Sequence, residues 1–566
     1  MNVSAPGNSA PSPGAVAPVS VSLGNRRHET WQVATPWRDR FAMVGPIDWF
    51  ALAEDPRAEA IKTNPGRQVW RVRFGDAWLY VKQFRVVGWA DGLRSLLRGP
   101  EALREWRCGV YAALARVPCV SLVACGARRA SSGIHESVLI TEAAEGAVPL
   151  PEAWREVVAV EDPTFRRRAL RALNEAVADL LARAHAARFL HRDGHPGNIL
   201  VRGAGEALPR VMYVDLYGGR IGRAVSDQRA AAGLAQLNQW FSRRAPRSLR
   251  LRFLKRYLAR RSCQAAVTGA ALRRWTELIE RAGRRHARRL YAHRDRRLRR
   301  DGKYFARLEL ANGWEATVTL RFRNRDEFPQ PTHPDRTVGM WAEWLASAAG
   351  RVLDAATVGD RPAGTSLQRW RASGYAQRQS WTLFGSPARR AFAAGHGLRH
   401  RDIPCVWPLA VLERRKSGLV SDSVLMLEER PGTSNLAGLL DPPRADHERA
   451  RRLENQRLRA VVFESLGRLL ADATCRGVRW PQPEPSALWV GWPDEADAKP
   501  RGLIGRFDGI SFLRQPSMRH GAEMVQALVR RLRDCSTVEP QDCRGLVEAY
   551  RKRLGSRFRS PDTWLG

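Results

Sequence analysis

One half of this 566-residue chain can be laid over the other at a single offset of 286 positions. Val81-Lys82-Gln83-Phe84-Arg85 meets Leu367-Gln368-Arg369-Trp370-Arg371, and Arg104-Glu105-Trp106 meets Arg390-Ala391-Phe392. Pro118-Cys119-Val120 falls on Pro404-Cys405-Val406, Arg128-Arg129 on Arg414-Arg415, Ser137-Val138-Leu139 on Ser423-Val424-Leu425, and Glu142 on Glu428. Matches that agree on one offset imply a duplicated fold. The chain is also too long for one ordinary core, so two domains are the natural division.

Within the first copy the stretch Phe189 to Arg220 carries the clearest chemistry. It opens with the loop His191-Arg192-Asp193-Gly194-His195-Pro196-Gly197-Asn198, where Gly and Pro forbid a helix, and continues into the apolar run Ile199-Leu200-Val201. A second run, Val211-Met212-Tyr213-Val214, delivers Asp215 to Leu216-Tyr217-Gly218-Gly219. Two carboxylates and a carboxamide thus arrive at the same end of a hairpin. That set suits phosphoryl transfer: Asp193 orients an attacking hydroxyl, while Asn198 and Asp215 hold magnesium on the nucleotide phosphates. The triplet His-Arg-Asp recurs at 293–295 and 400–402, but the residues five positions after those aspartates are Arg300 and Trp407, and neither copy leads into a strand ending in Asp.

This loop and its strand-borne aspartate resemble the catalytic and metal-binding segments of the protein-kinase-like phosphotransferases. The flanking sequence looks most like the lipopolysaccharide kinase family (Kdo/WaaP type), through Val81-Lys82-Gln83-Phe84-Arg85, Arg104-Glu105-Trp106 and the helical run Arg250-Leu251-Arg252-Phe253-Leu254. The resemblance implies an α+β fold of two tandem bilobal domains, each with a small β-rich lobe and a helical lobe. It implies an ATP-dependent kinase that uses magnesium and acts on a hydroxyl of a cell-envelope sugar, such as Kdo or heptose on a lipid-linked glycan. His191 and Arg192 would complete the catalytic loop with Asp193.

The residues before the loop read accordingly. From Gln68 two alternating runs flank a Gly75-Asp76 turn, a hairpin pattern that places Lys82 on its second strand. Residues 100–115 form a helix by periodicity, with Leu103, Trp106, Val110, Tyr111 and Leu114 as the expected buried face. Under the resemblance Lys82 contacts nucleotide phosphates, Glu105 is its ion-pair partner with Glu101 as the alternative, and Glu142 begins a hinge for adenine. Gly66, in Asn64-Pro65-Gly66-Arg67, is the one glycine offered to cover the phosphates. Residues 164–187 read as a helix running into the catalytic loop.

The second copy has lost these groups. Gln368 replaces the lysine and Ala391 the glutamate, and with three extra residues Gln482 falls on Asp193 and Ala487 on Asn198. Asp508 is expected to survive as the counterpart of Asp215. A neutral Gln is a poor base and Ala cannot hold a metal, so this copy is expected to be a silent pseudokinase.

Formal net charge is +37, and only seven of the 94 basic residues are lysines. The excess predicts attraction to polyanions: an anionic glycolipid or sugar substrate, with peripheral contact at the inner face of the cytoplasmic membrane. No nucleic-acid-binding pattern accompanies it, so no specific nucleic acid is expected. Eight cysteines without a CxxC pair, no apolar run near 18 residues and no signal-like start suggest a reduced, cytoplasmic protein without structural zinc. The expected organisation is a disordered tail over 1–28, an active kinase-like domain over 29–262, a basic helical connector over 263–302 and the degenerate copy over 303–566. Rival readings are a non-catalytic nucleotide-binding scaffold, or a kinase for protein Ser/Thr or another small molecule. Oligomeric state is left open.

Overall fold

The computed structural model describes residues 18–21, 29–43, 47–64, 66–88, 93, 95, 97, 99–130, 133–242, 244–262, 267–321, 337–343, 345, 365–429, 432–441, 455–492 and 499–555. It divides into two compact units, Met1–His286 and Ala287–Gly566, and both mix helices with small antiparallel sheets in an α+β fold. The seven cysteines described are free thiols; Cys263 lies outside the described residues.

The first unit opens with a seven-stranded antiparallel sheet made of β1 (Pro18–Val21), β2 (Glu29–Ala34), β3 (Ala58–Asn64), β4 (Arg67–Phe74), β5 (Ala77–Arg85), β6 (Leu122–Ala130) and β7 (Gly133–Glu142). Their order is β1-β2-β6-β7-β5-β4-β3. The β4–β5 hairpin closes at Gly75, whose φ of 61° is costly for residues with a Cβ, and Phe74 pairs with Ala77. Val72, Leu79 and Val81 are fully buried beneath a cluster that includes Trp31, Trp37, Trp49, Trp70 and Trp106. The tail expected over residues 1–28 contains ordered chain: Val19 pairs with Val33 and Val21 with Trp31. Valines at alternate positions give that segment a strand character which its Ser, Pro and Ala content masks. The rest of that tail lies outside the described residues.

Helix α1 (Arg38–Met43) precedes β3, and α2 (Glu101–Leu114) lies between β5 and β6. The buried side of α2 is Ala102, Glu105, Trp106, Cys108, Gly109 and Ala112, while Leu114 is 65% exposed. Of the expected face, Trp106 is buried and Leu103, Val110 and Tyr111 pack against the cores, so that only Leu114 departs from it. Small residues share the contact, because the helix sits so close to the sheet that a Cβ on Gly109 would stand 2.8 Å from the Leu122 side chain.

A helical lobe follows: α3 (Leu150–Ala159), α4 (Pro163–Ala186), α5 (Asp227–Phe241) and α6 (Arg247–Ser262), with a three-stranded sheet of β8 (Ala147–Pro149), β9 (Ile199–Arg202) and β10 (Arg210–Tyr213) in the order β10-β9-β8. The Asp162 carboxylate accepts the Thr164 N–H at 2.8 Å and starts α4, which buries Leu173, Val177, Leu180 and Leu181 as its periodicity predicts. Helix α7 (Gly269–Arg296) follows, and the division between the two units falls within it.

The second unit repeats part of this order of elements, most closely from Pro387 onward. Its five-stranded sheet is β11 (Phe305–Glu309), β12 (Trp314–Thr319), β13 (Thr365–Arg371), β14 (Pro408–Lys416) and β15 (Leu419–Glu428), ordered β11-β12-β14-β15-β13. Helix α8 (Pro387–His400), β14, β15 and β16 (Thr433–Asn435) each begin and end 286 positions after α2, β6, β7 and β8. Lys82 pairs with Leu139, and Gln368 with Leu425. Gly395 holds the place of Gly109, and a Cβ there would stand 2.7 Å from the Phe507 ring. Helix α9 (Gln456–Cys475) corresponds to α4. Strands β17 (Leu488–Gly491) and β18 (Arg501–Ile504) correspond to β9 and β10 at offsets of 289 and 291.

That last change of offset corrects the expectation for Asp508. The Val214 N–H donates to the Asn198 carbonyl, and the Gly505 N–H donates to the Ala487 carbonyl. The next residue is Asp215 in the first unit and Arg506 in the second. Asp508 lies two positions further on, half-exposed and paired with Arg506 at 3.4 Å. The hairpin of the second unit is longer by two residues, which strand register reveals and an alignment by motif does not.

Under the catalytic loop, the Tyr257 hydroxyl accepts from Arg261 Nη1 and turns its own proton to His185 Nδ1, both at 2.7 Å. Burial, with Arg261 nearby, pushes the His185 imidazole down to about 3. The unfolded chain takes up this proton near pH 6.5 and the folded chain does not, so the group costs stability as pH falls through that window. Urea denaturation from pH 7 to 5 should show wild type losing up to about 1.4 kcal/mol per pH unit more than His185→Gln; parallel pH profiles would place a proton on the buried imidazole.

Candidate functional site

The site of the first unit begins with a lysine inside the sheet. Lys82 lies on β5 with a side chain 8% exposed, and its Nζ stands 2.5 Å from Glu105 Oε1, which α2 carries in from the other side. A buried ammonium needs such a partner, since desolvation without one costs several kcal/mol. The same carboxylate oxygen accepts the Leu216 N–H at 2.9 Å, so Glu105 also fixes the backbone just after Asp215.

Asp215 stands in the left-handed region, φ 59° and ψ 61°, a conformation that aspartate tolerates better than most side chains. Its Oδ1 faces Lys82 Nζ at 3.3 Å and Arg67 Nη2 at 3.1 Å. Burial raises the Asp215 carboxyl, but Lys82 and Arg67 outweigh it and leave it below its ordinary value. It is therefore an anion at neutral pH.

His191 is 4% exposed, and its ring stacks on Tyr213 at 5.2 Å. Its Nε2 lies 3.0 Å from the Asp215 carbonyl and 3.3 Å from that of Val214, so this nitrogen must carry the proton and donate. The histidine thus clamps the strand end that presents Asp215. Asn198 donates through Nδ2 to the Asp193 carbonyl at 3.0 Å, which fixes the carboxamide on the loop and leaves its oxygen as the acceptor. The loop is also fastened to α5: Gly194 N–H donates to Gln236 Oε1 at 2.6 Å, and a Cβ on Gly194 would stand 3.0 Å from the Gly233 carbonyl. Asp193 is exposed at the loop surface, as a group that meets a substrate hydroxyl has to be.

The remaining expected residues occupy the margins. Arg192 is exposed beside Gly218, Gly66 sits in the turn before β4 with its carbonyl accepting from Arg85 N–H, and Glu142 ends β7 opposite Leu79. The N–H groups of Glu142 and Ala143 are taken by the carbonyls of Ser121 and Trp78. Glu101, the alternative partner for Lys82, instead accepts from the Tyr217 hydroxyl at 2.8 Å.

Sequence reasoning missed Arg67, Tyr217 and Gln236 as parts of this site. For Arg67 a signal existed. The hairpin closed by Gly75-Asp76 pairs Val69 with Lys82 and Arg67 with Phe84, which puts Arg67 on the same face as the lysine. Tyr217 stacks on Phe84 at 6.3 Å and holds Glu101, and only the folded chain shows that.

No group of three His, Cys, Asp or Glu side chains among the described residues could hold a metal by itself. Magnesium, however, is commonly bound by one or two protein oxygens together with substrate phosphates. An ionised Asp215 and the oriented carboxamide oxygen of Asn198, joined through the Val214 hydrogen bond, fit that donor set.

Lysine and glutamate are thus paired in a small sheet-bearing lobe, next to a loop and hairpin that carry Asp193, Asn198 and Asp215. Residues 66–265, within the first unit, match the model of the lipopolysaccharide kinase (Kdo/WaaP) family. No sequence among the curated proteins matches the chain. Among solved structures it is similar to WaaP in complex with acyl carrier protein, at 23% identity and a TM-score of 0.33, covering 44% of this chain and 97% of that one. It is also similar to the ROP18 kinase domain in complex with AMP-PNP and sucrose, at 14% identity and a TM-score of 0.26, covering 40% and 81%.

The Lys82–Glu105 pair generates a stability prediction independent of activity. Lys82→Met leaves Glu105 buried without its counter-charge and should lower the denaturation free energy by about 3 kcal/mol. Adding Glu105→Leu should recover most of that loss in the same urea titration, whereas additive losses would mean that the two side chains do not interact.

Proposed function

We propose that the first unit is an ATP-dependent kinase that phosphorylates a hydroxyl of a cell-envelope sugar, such as Kdo or heptose on a lipid-linked glycan. The observation that carries this reading is Lys82, held between Glu105 and Asp215 in one cleft. Lys82 would pair with the nucleotide phosphates, and Glu105 keeps it extended toward them. Asp215 and Asn198 would hold magnesium, which supplies charge neutralisation at the phosphates when bound. Asp193 would orient and deprotonate the acceptor hydroxyl, with His191 fixing the strand end behind it and Arg192 beside the loop. Adenine would meet the Glu142 carbonyl or the Ala144 N–H, since the N–H groups of Glu142 and Ala143 are already bonded within the sheet.

An anionic glycolipid suits the chain's charge. Helices α6 and α7 are dense in arginine, and α6 carries Arg250, Arg252, Arg256, Arg260 and Arg261. They would draw a phosphorylated substrate, or the anionic inner face of the cytoplasmic membrane, toward the domain. No helix among the described residues is long and apolar enough to cross a membrane, so such an association would be peripheral.

For the second unit we propose a degenerate copy of the first. Gln368, Ala391, Gln482, Ala487 and Arg506 stand at the positions of Lys82, Glu105, Asp193, Asn198 and Asp215, and no group is left there to bind a metal or accept a proton. Incubation of cell-envelope fractions with labelled ATP and magnesium tests both proposals. Asp193→Ala and Asp215→Ala should each lower phosphate incorporation by on the order of a hundredfold or more, and Asp508→Ala should leave it unchanged. Label in generic protein substrates and none in glycolipid would favour a protein kinase. Nucleotide binding without any turnover would favour a scaffold.

A further inference from the structure

The proposed kinase lacks one device that nucleotide-binding domains of this architecture need. A glycine-rich turn lets successive backbone N–H groups approach the phosphates closely. Here the β3–β4 connection offers one glycine, Gly66, and its carbonyl is occupied by the Arg85 N–H. What this turn does carry is Arg67, the first residue of β4.

Three observations place Arg67 over the site. Its register opposite Phe84 sets it on the face of the hairpin that bears Lys82. Its guanidinium lies over the Phe84 ring, 5.4 Å from the centroid. Its Nη2 reaches Asp215 Oδ1 at 3.1 Å, across 148 residues of chain. Asp215 therefore faces two cations, and they are held unequally. Lys82 is 8% exposed and bound to Glu105 at 2.5 Å, whereas the Arg67 side chain is 30% exposed and rests on an aromatic face.

We propose that Arg67 is the phosphate clamp of this domain, in the place of a glycine-rich turn, and that it exchanges between the Asp215 carboxylate and the nucleotide phosphates. The inference rests on the reading of the cleft as a nucleotide site. A guanidinium presents a planar fork of donors that matches phosphate oxygens two at a time, which one ammonium does not. When Asp215 takes a divalent cation, two positive groups compete for one carboxylate. Lys82 stays with Glu105; Arg67, more exposed and lacking a second carboxylate contact at that distance, turns to the phosphates. The Phe84 ring and the strand keep it within reach of both.

The exchange has a signature that a structural arginine would not give: removing Arg67 should move two affinities in opposite directions. With nucleotide binding read by displacement of a fluorescent ATP analogue in the presence of magnesium, Arg67→Ala should weaken ATP about tenfold. With manganese binding read by electron paramagnetic resonance in the absence of nucleotide, the same variant should bind the ion several-fold more tightly, since a competitor for Asp215 is gone. Arg67→Lys should fall between wild type and alanine in the first measurement. Arg67→Gln provides a second neutral variant should the alanine protein fail to fold, and melting curves verify folding in each. If wild type binds ATP and the neutral variants bind it equally well, Arg67 is not the clamp and the kinase reading stands. If both affinities weaken together, Arg67 organises the site and does not exchange. If wild type binds no ATP while folded, the kinase reading fails and this inference with it.

Discussion

The first unit is organised by a buried proton-bearing nitrogen and the carboxylate that neutralises it. Lys82 belongs to the sheet, Glu105 to the helix laid over it, and the oxygen between them also receives the Leu216 N–H from the loop after β10. Three segments distant in sequence are thereby fixed to one atom. Because each group would be costly to bury alone, the lysine, the helix and the Asp215 loop are held in register together. The remaining features of the site fasten what this contact has already placed: His191 under the Asp215 carbonyl, Gln236 under Gly194, and Tyr217 against Phe84 and Glu101.

The second unit shows a similar arrangement of elements without a buried ammonium–carboxylate pair at the corresponding positions. Gln368 sits opposite Leu425 as Lys82 sits opposite Leu139, but Ala391 offers it nothing to neutralise or to accept from. Charge is invested elsewhere there. Glu413, 3% exposed in its side chain, accepts from Ser386 and Arg389 at the start of α8, and Asp295 pairs with His400 and Arg401 at its end. Both contacts bind the ends of a helix.

Much of the site was legible in the sequence because its parts are local patterns. A turn between alternating runs fixes a hairpin, Gly and Pro ahead of an apolar run fix the loop before β9, and one offset matches much of the two halves. What escaped were relations between segments. The largest apolar residues of α2 gave most of its buried side but not the small ones beside them, where Gly109 seats closely on Leu122. The survival of an aspartate in the second copy looked plausible by motif and failed by register, as two residues in the preceding hairpin move Asp508 past the position that Arg506 occupies. Arg67 was visible as a loop residue, but its reach to Asp215 joins segments 148 residues apart, which no local pattern records.

The glycine pair has a further meaning for how such a chain ages. If the second unit descends from a copy of the first, as proposed, it has replaced Lys82, Glu105, Asp193, Asn198 and Asp215 while keeping the one residue of α2 that has no side chain. Chemistry can be abandoned, provided that the buried lysine and glutamate are given up together. The seat of the helix cannot, because any added carbon collides with Leu122 in one unit and Phe507 in the other. A domain past its working life is thus recognised less by what it did than by where it has no room to change.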